Sequence, residues 1–236
     1  MSLSPIGTGY HPFVGRIDRE QIVEAALELL DEQGLAGVTT RKVAARLGIK
    51  SASLYWHLRD REELLDLLSD RVVADARWPK PSLGWRAQVE GLMVEYLRCL
   101  MAHRDAARVV AGRAPSGPHR LRGAETMLAA LLKAGLREQD AVDATLVLTT
   151  YVVGFALEEA SAGQVSEPTR PRRSSAPSIE QYPTLMSLAP LVQAPAPSSR
   201  FRPGLAVVLD GIQARVAASR GGRKTAGPDS KSARPG

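Results

Sequence analysis

Apolar residues recur at helical spacing along most of the chain, and the pattern predicts an all-α protein. Asp18 opens a helix whose stripe is Ile22, Ala25, Ala26, Leu29 and Leu30, with Glu20, Glu24 and Glu28 on the wet face and Gly34 as its stop. Thr39 or Thr40 caps a second helix carrying Val43, Ala44 and Leu47. Gly48 then permits a sharp reversal, with Ile49 as the apolar plug of the turn. Ser51 caps a third helix with Leu54 and Leu58 four apart on its inner face. Lys50, Ser51, Ser53, Tyr55, Trp56 and His57 remain on or near its outer face. Two short helices about a glycine turn, preceded by a third, make a helix-turn-helix module.

Further helices are expected over 61–77, 82–103, 105–111, 119–133, 138–162, 178–192 and 203–219, with Trp78-Pro79-Lys80-Pro81 as a break. The segment 141–157 is almost wholly apolar, so that helix must be covered on most sides, by its own domain and by a partner chain. The expected organisation is a flexible arm over 1–17, a DNA-binding domain over 18–63 and a larger ligand-binding and dimerisation domain over 64–220. The last contains a Pro/Ser-rich loop at 164–200, and a basic, disordered tail fills 221–236.

Charge sharpens this picture locally. The whole chain of 236 residues carries +6, yet Met1 to Arg77 holds ten Lys/Arg against twelve Asp/Glu, a net of −2. Between Gly37 and Arg61, however, Arg41, Lys42, Arg46, Lys50, Arg59 and Arg61 face only Asp60, giving +5. These cations suit phosphate contacts, and exposed aromatics between them suit deoxyribose and base methyls. The competing reading is a plain helical hairpin with Tyr55 and Trp56 packed inside.

Cys99 is the only cysteine and cannot form an intramolecular disulfide, which fits a reducing cytoplasm. No secretory signal opens the chain and no uninterrupted apolar run is long enough to span a bilayer, so no membrane association is expected. The four histidines, at 11, 57, 103 and 119, have no zinc-binding spacing, and no phosphate loop or nucleophile elbow is present; an enzyme is not expected.

Several motifs resemble those of the tetracycline-repressor (TetR) family of bacterial regulators. They are Thr-Thr-Arg-Lys at 39–42, Leu-Tyr-Trp-His at 54–57, His-Arg-Asp at 103–105, Gly112, Pro115 and Leu-Glu at 157–158. The resemblance covers about 18–162 and returns at 201–217. It implies a cytoplasmic homodimer whose longest and last helices pair with their mates as a four-helix bundle. It implies repression at double-stranded operator DNA, relieved by a small-molecule effector; a ligand-independent or activating regulator is the alternative. Residue matching brings Thr40, Arg41, Lys50, Ser51, Ala52, Ser53, Tyr55, Trp56, His57 and Arg61 to the DNA, with Arg41 suited to a guanine edge.

The same matching makes Tyr96, Val110, Arg113, Met127, Thr149 and Glu158 the effector-binding candidates. Core packing is the alternative for Tyr96 and Met127, a solvated loop charge for Arg113, and an arginine pair at the dimer face for Glu158. The family's metal-binding histidine is replaced by Val110, its next pocket positions by Arg113 and Ala114, and a further histidine by Arg77. One remaining carboxylate is a poor Mg²⁺ site. The expectation is therefore no metal, no cofactor and an effector other than Mg-tetracycline.

Overall fold

The computed structural model describes residues 17–162, 180–193 and 197–225. Residues 1–16 of the expected arm (1–17), 164–179 and 194–196 of the expected loop (164–200) and 226–236 of the expected tail (221–236) lie outside the described residues. Among the described residues ten α-helices follow one another: α1 Arg19–Gln33, α2 Thr40–Arg46, α3 Ser51–Leu54, α4 Arg61–Arg71, α5 Trp85–Ala102, α6 Ala106–Val110, α7 Pro118–Ala134, α8 Glu138–Ala162, α9 Pro183–Gln193 and α10 Phe201–Thr225. No strand occurs among the described residues. The chain divides into two compact units. One holds the residues up to Ala76 with Cys99–Leu121; the other holds Arg77–Arg98 with the residues from Arg122 onward. Packing thus returns part of the middle of the chain to the N-terminal unit, and α5 and α7 contribute to both.

In the first unit, Asp18 forms a full capping box on α1: its carboxylate accepts from the Gln21 N–H at 2.9 Å, and its own N–H donates to Gln21 Oε1 at 3.1 Å. Ile22, Leu30, Val38, Val43, Leu54, Leu64 and Leu68 are fully buried and make the core. Three consecutive residues, the His-Arg-Asp triplet, fasten the end of α1. His103 Nδ1 and the Arg104 N–H meet Asp31 at 2.9 and 3.1 Å, Arg104 Nη1 donates to the Glu32 carbonyl, and Asp105 Oδ2 accepts from the Leu35 N–H at 2.9 Å. Asp105 holds a left-handed backbone (φ 56°) to do so. Opposite it only glycine fits at position 34, where φ is 70° and a Cβ would stand 2.6 Å from Asp105 Oδ2.

Helix α4 stops at Arg71 rather than Arg77. Bonds of the i→i+3 type, from Val73, Ala74 and Ala76, replace the α-helical ladder there, where β-branched Val72 and Val73 weaken helical preference. One face of α4 is an acidic ladder. Arg113 Nη2 donates to Glu62 at 2.6 Å and its Nη1 to Asp66 at 2.7 Å. Asp70, itself buried, accepts the backbone N–H groups of His119 and Arg120 at 3.3 and 2.8 Å, satisfying the first turn of α7. The buried Arg120 guanidinium completes the network on Ser69 Oγ and on the Ala114 and Arg113 carbonyls.

In the second unit, α10 runs antiparallel to α8. Arg215 reaches Asp140 at 3.0 Å near one end, and the Tyr151 hydroxyl donates to the Phe201 carbonyl at 2.9 Å nearer the other. Gly204 lets that hydroxyl approach, since a Cβ there would lie 2.2 Å from it. Arg86 to Asp210 (2.6 Å) and Arg202 to Glu90 (2.9 Å) set α5 antiparallel to α10 as well, hence parallel to α8. Helix α10 continues through Thr225, so 221–225 extend the last helix instead of opening the tail; α9 starts at Pro183 and α5 at Trp85, after the turn that follows Pro81. The span Glu138–Ser161 is by itself long and apolar enough to cross a bilayer, a property hidden residue by residue by its interspersed threonines and Asp143. Its apolarity is divided between a buried stripe, Leu148, Val152 and Ala156, and an exposed one that includes Leu146 and Val147.

Asp70→Ala leaves two N–H groups of α7 without their acceptor and Arg120 without its neighbouring charge. It should lower unfolding free energy by about 1–3 kcal/mol in urea titration, and an unchanged midpoint would refute this role.

Candidate nucleic-acid interface

The hydrogen bonds of the turn explain how eight residues present one edge. Thr39 Oγ1 accepts from the Lys42 N–H at 3.2 Å and caps α2. At its end the Ile49 N–H bonds to the Ala44 carbonyl (3.0 Å) and the Gly48 N–H to that of Ala45 (3.1 Å), a Schellman pair closed by Gly48 at φ 68°. Lys50, extended, precedes α3, and Ser51 is already its first helical residue; the expected Ser51 cap is not formed, and no side chain caps this helix. Ile49 is only half-buried. Helix α3 is a single turn. Tyr55, Trp56 and His57 continue it through i→i+3 turns, because aromatic residues propagate a helix poorly and Asp60 already starts α4 by accepting from the Glu63 N–H at 2.8 Å.

Leu54 and Leu58 are sealed in the core, and the three residues between them turn outward. Tyr55 is 56% exposed and Trp56 90% exposed, so neither packs inside the module. Arg41, Lys50, Ala52 and Ser53 are also exposed, while Thr40, Ser51 and His57 are half-buried. Arg61 is exposed in part, but its Nε donates to the Val38 carbonyl at 3.1 Å and so holds the approach to α2.

The six cations around the module have different partners. Arg46 pairs with Glu28 and Glu32 on α1, Lys42 Nζ donates to Gln33 at 2.6 Å, and Arg59 meets Glu63. Arg41, on α2, and Lys50, just before α3, are exposed and have no ion pair among the described residues. Bonding to Arg46 holds the Glu32 carboxyl below its usual range and pushes the Arg46 guanidinium up. The Arg59 N–H, and then the Arg59 side chain and Arg19, hold Glu63 low against a burial effect of opposite sign. Arg19 had no signal in the apolar pattern, yet its Nε donates to the His57 carbonyl at 3.0 Å and its Nη2 to Glu63 at 2.9 Å, pinning the turn that carries the aromatics.

The effector candidates are dispersed. Val110 is buried at the end of α6, and Arg113 follows it, neutralised by Glu62 and Asp66; both belong to the first unit. Arg113 is therefore neither a solvated loop charge nor an uncommitted pocket group. Tyr96, Met127, Thr149 and Glu158 belong to the second unit. Met127 is buried and Tyr96 half-buried. The Thr149 hydroxyl donates to the carbonyls of Thr145 and Leu146 on its own helix, and Glu158 points outward. Among the described residues no cluster of three or more His, Cys, Asp or Glu could hold a metal ion.

A one-turn recognition element with an aromatic and cationic edge, on a three-helix frame followed by an all-helical unit, defines a helix-turn-helix regulator. The signature of the bacterial regulatory proteins of the tetR family matches residues 22–68, and that of the tetracyclin repressor-like C-terminal domain matches 78–216. The chain belongs to this family. It is 34% identical over 210 residues to the tetracycline repressor protein class A from transposon 1721 of Escherichia coli, covering 85% of this chain and 92% of the relative. The apo structure of ActR from Streptomyces coelicolor superposes with a TM-score of 0.77 at 32% identity, covering 89% of this chain and all of that one. ActR has also been solved with actinorhodin (TM-score 0.73, 33% identity, 84% and 96% covered). BioQ has been solved with its double-stranded DNA operator (TM-score 0.64, 26% identity, 84% and 98% covered).

Arg41→Ala and Lys50→Ala should each weaken binding to a duplex carrying the operator and reduce its log–log salt slope by about one, with thermal midpoints unchanged. Arg61→Ala should instead lower the thermal midpoint, since it removes the donor to Val38. Equal salt slopes in all three variants and the parent would contradict the division.

Proposed function

We propose that this chain is a homodimeric, cytoplasmic transcriptional repressor that leaves its operator when a small molecule other than Mg-tetracycline binds. Residues 18–63 read DNA; residues 64–220 dimerise and hold the effector. The carrying observation is the outward Tyr55–Trp56 edge, with Arg41 and Lys50 exposed in the same module. It presents π-faces and hydroxyls around one turn that Lys50 precedes, with Arg41 on the preceding helix, groups that suit a major groove. The operator complex of BioQ and the actinorhodin complex of ActR support the DNA and the effector parts respectively. Ser51 and Ala52, at the start of the recognition turn, give this chain its own operator preference.

Dimerisation is supported by the exposed faces of α8 and α10. Leu146, Val147 and Val207 are more than half exposed in the single chain, and nothing stands in front of Gly154 or Gly211, so another helix could approach closely. A symmetric pair reads two half-sites about 34–36 Å apart. The effector acts only if it binds the form with the wrong spacing more tightly than the DNA-bound form. Elements from α5 onward sense it, and α4 carries the displacement to the recognition turn.

Fluorescence anisotropy with the intergenic duplex beside its own gene tests the reading. Saturable binding by a dimer is expected, competed poorly by unrelated DNA and lost by roughly tenfold or more in Trp56→Ala. Isothermal titration should show no micromolar, Mg-dependent tetracycline binding. A monomer in sedimentation, or no preference for that duplex, would defeat the proposal.

A further inference from the structure

The exit of the recognition turn is held by side chains from outside it. The turn's own bonds are sparse there: the Trp56 N–H reaches the Ser53 carbonyl only at 3.4 Å, and the His57 N–H reaches that of Leu54 at 2.9 Å. Charged groups grip the two peptide groups that follow. The His57 carbonyl accepts from Arg19 Nε at 3.0 Å, and the Arg59 N–H donates to Glu63 Oε2 at 2.7 Å. Glu63 joins the two grips, because its Oε1 accepts from Arg19 Nη2 at 2.9 Å. One carboxylate thus fixes consecutive peptide planes on either side of Leu58, which is sealed in the core.

Glu63 is the third residue of α4, where the carboxylate of a capping box would reach back to the N–H of Asp60, the N-cap. It reaches one residue further, to Arg59, and so ties α4 to the turn instead of closing α4 upon itself. Its own N–H is held by Asp60 at 2.8 Å. Only 14% of its side chain is exposed, against 58% for Arg19 and 84% for Arg59. A carboxylate beside a DNA-reading turn repels phosphate and lowers affinity for any duplex. What it supplies is order: Trp56 lies outside the core, so its direction is set by the backbone it stands on. We infer that Glu63 is a positioning residue for operator recognition: through Arg19 and the Arg59 N–H it holds the backbone that aims Tyr55 and Trp56, and it gives the module sequence discrimination with no base contact of its own. Neutralising it leaves Arg19 and Arg59 without their counter-charge, so phosphate binding is kept or strengthened while discrimination falls.

This rests on the reading of 18–63 as the part that reads DNA, and the experiment separates the two. The full-length protein is titrated by fluorescence anisotropy against the intergenic duplex and against a scrambled duplex of the same length and composition. Glu63→Gln keeps an acceptor for the Arg59 N–H but removes the charge that holds Arg19. It should lower the ratio of the two affinities by about five- to tenfold, through the intergenic duplex alone, with scrambled-duplex affinity equal or higher. Arg19→Lys keeps the charge but replaces the guanidinium fork by a single donor point, and should move the ratio the same way. In a Trp56→Ala background, Glu63→Gln should weaken intergenic binding by less than about threefold further, since it acts through the residue already removed. A carboxylate that only stabilises the fold would weaken both duplexes alike, and its loss would multiply with that of Trp56→Ala. Equal weakening on both duplexes, an unchanged ratio in Glu63→Gln, or losses that multiply would each overturn the inference. A parent with no preference for the intergenic duplex defeats the DNA-reading assignment itself, whereas a parent that prefers it, with the ratio unmoved in Glu63→Gln, defeats only this inference.

Discussion

The burial of Leu54 and Leu58 is the constraint on which the DNA-reading edge depends. Both are sealed in the core, and they lie one helical step apart. A backbone that satisfies both has no inward direction left for the two aromatics between them. Trp56 stands outside because its neighbours are inside, at a hydrophobic cost that the frame absorbs through Ile22, Leu30 and Leu64. Arg19 then stops the turn from relaxing by holding the His57 carbonyl. Exposure of this kind on an otherwise well-packed module is what a partner surface requires.

Charge is partitioned by the same frame. A local excess of +5 does not translate into six phosphate ligands, because α1 and α4 supply carboxylates that claim part of it. Exposed pairs such as Arg59 with Glu63 contribute only about 0–1 kcal/mol, so phosphate can compete for them at little cost to the fold. Arg61 differs in kind: its acceptor is a part-buried backbone carbonyl, Val38, which has no solvent replacement ready. The position of Arg61 in the chain announces a cation near the DNA-reading turn; where its guanidinium donates is decided by the fold.

The apolar stripes made the helices legible, and α8 was expected over 138–162, the span it occupies. Caps on acidic and hydroxyl residues with the usual spacing, Asp18 and Thr39, were legible too. What escaped was anything decided by partners distant in sequence. The acidic ladder from Glu62 to Asp70 and the grip of Asp31 on His103 join residues some 50 to 70 positions apart. Single-helix periodicity carries no information about them. Arg113 is the clearest case: as a sequence position it was open to either solvent or an effector, and two carboxylates one turn apart on α4 decided its place.

That ladder bears on how a displacement would reach the DNA-reading edge. Glu62, Asp66 and Asp70 occupy successive turns of α4, and each holds something from 113–120: Arg113 twice, then the N-terminus of α7 with Arg120 behind it. On its other face α4 buries Leu64, Leu65 and Leu68 in the module that carries α3. The helix is therefore gripped on both sides, by ions and hydrogen bonds on one and by close packing on the other. Ionic contacts re-form after a small slide; packed leucines do not. A shift of the segment 113–120 would thus move α4 as a rigid lever rather than shear it from the recognition turn. The mutual orientation of the recognition elements in a dimer would then be set through α4.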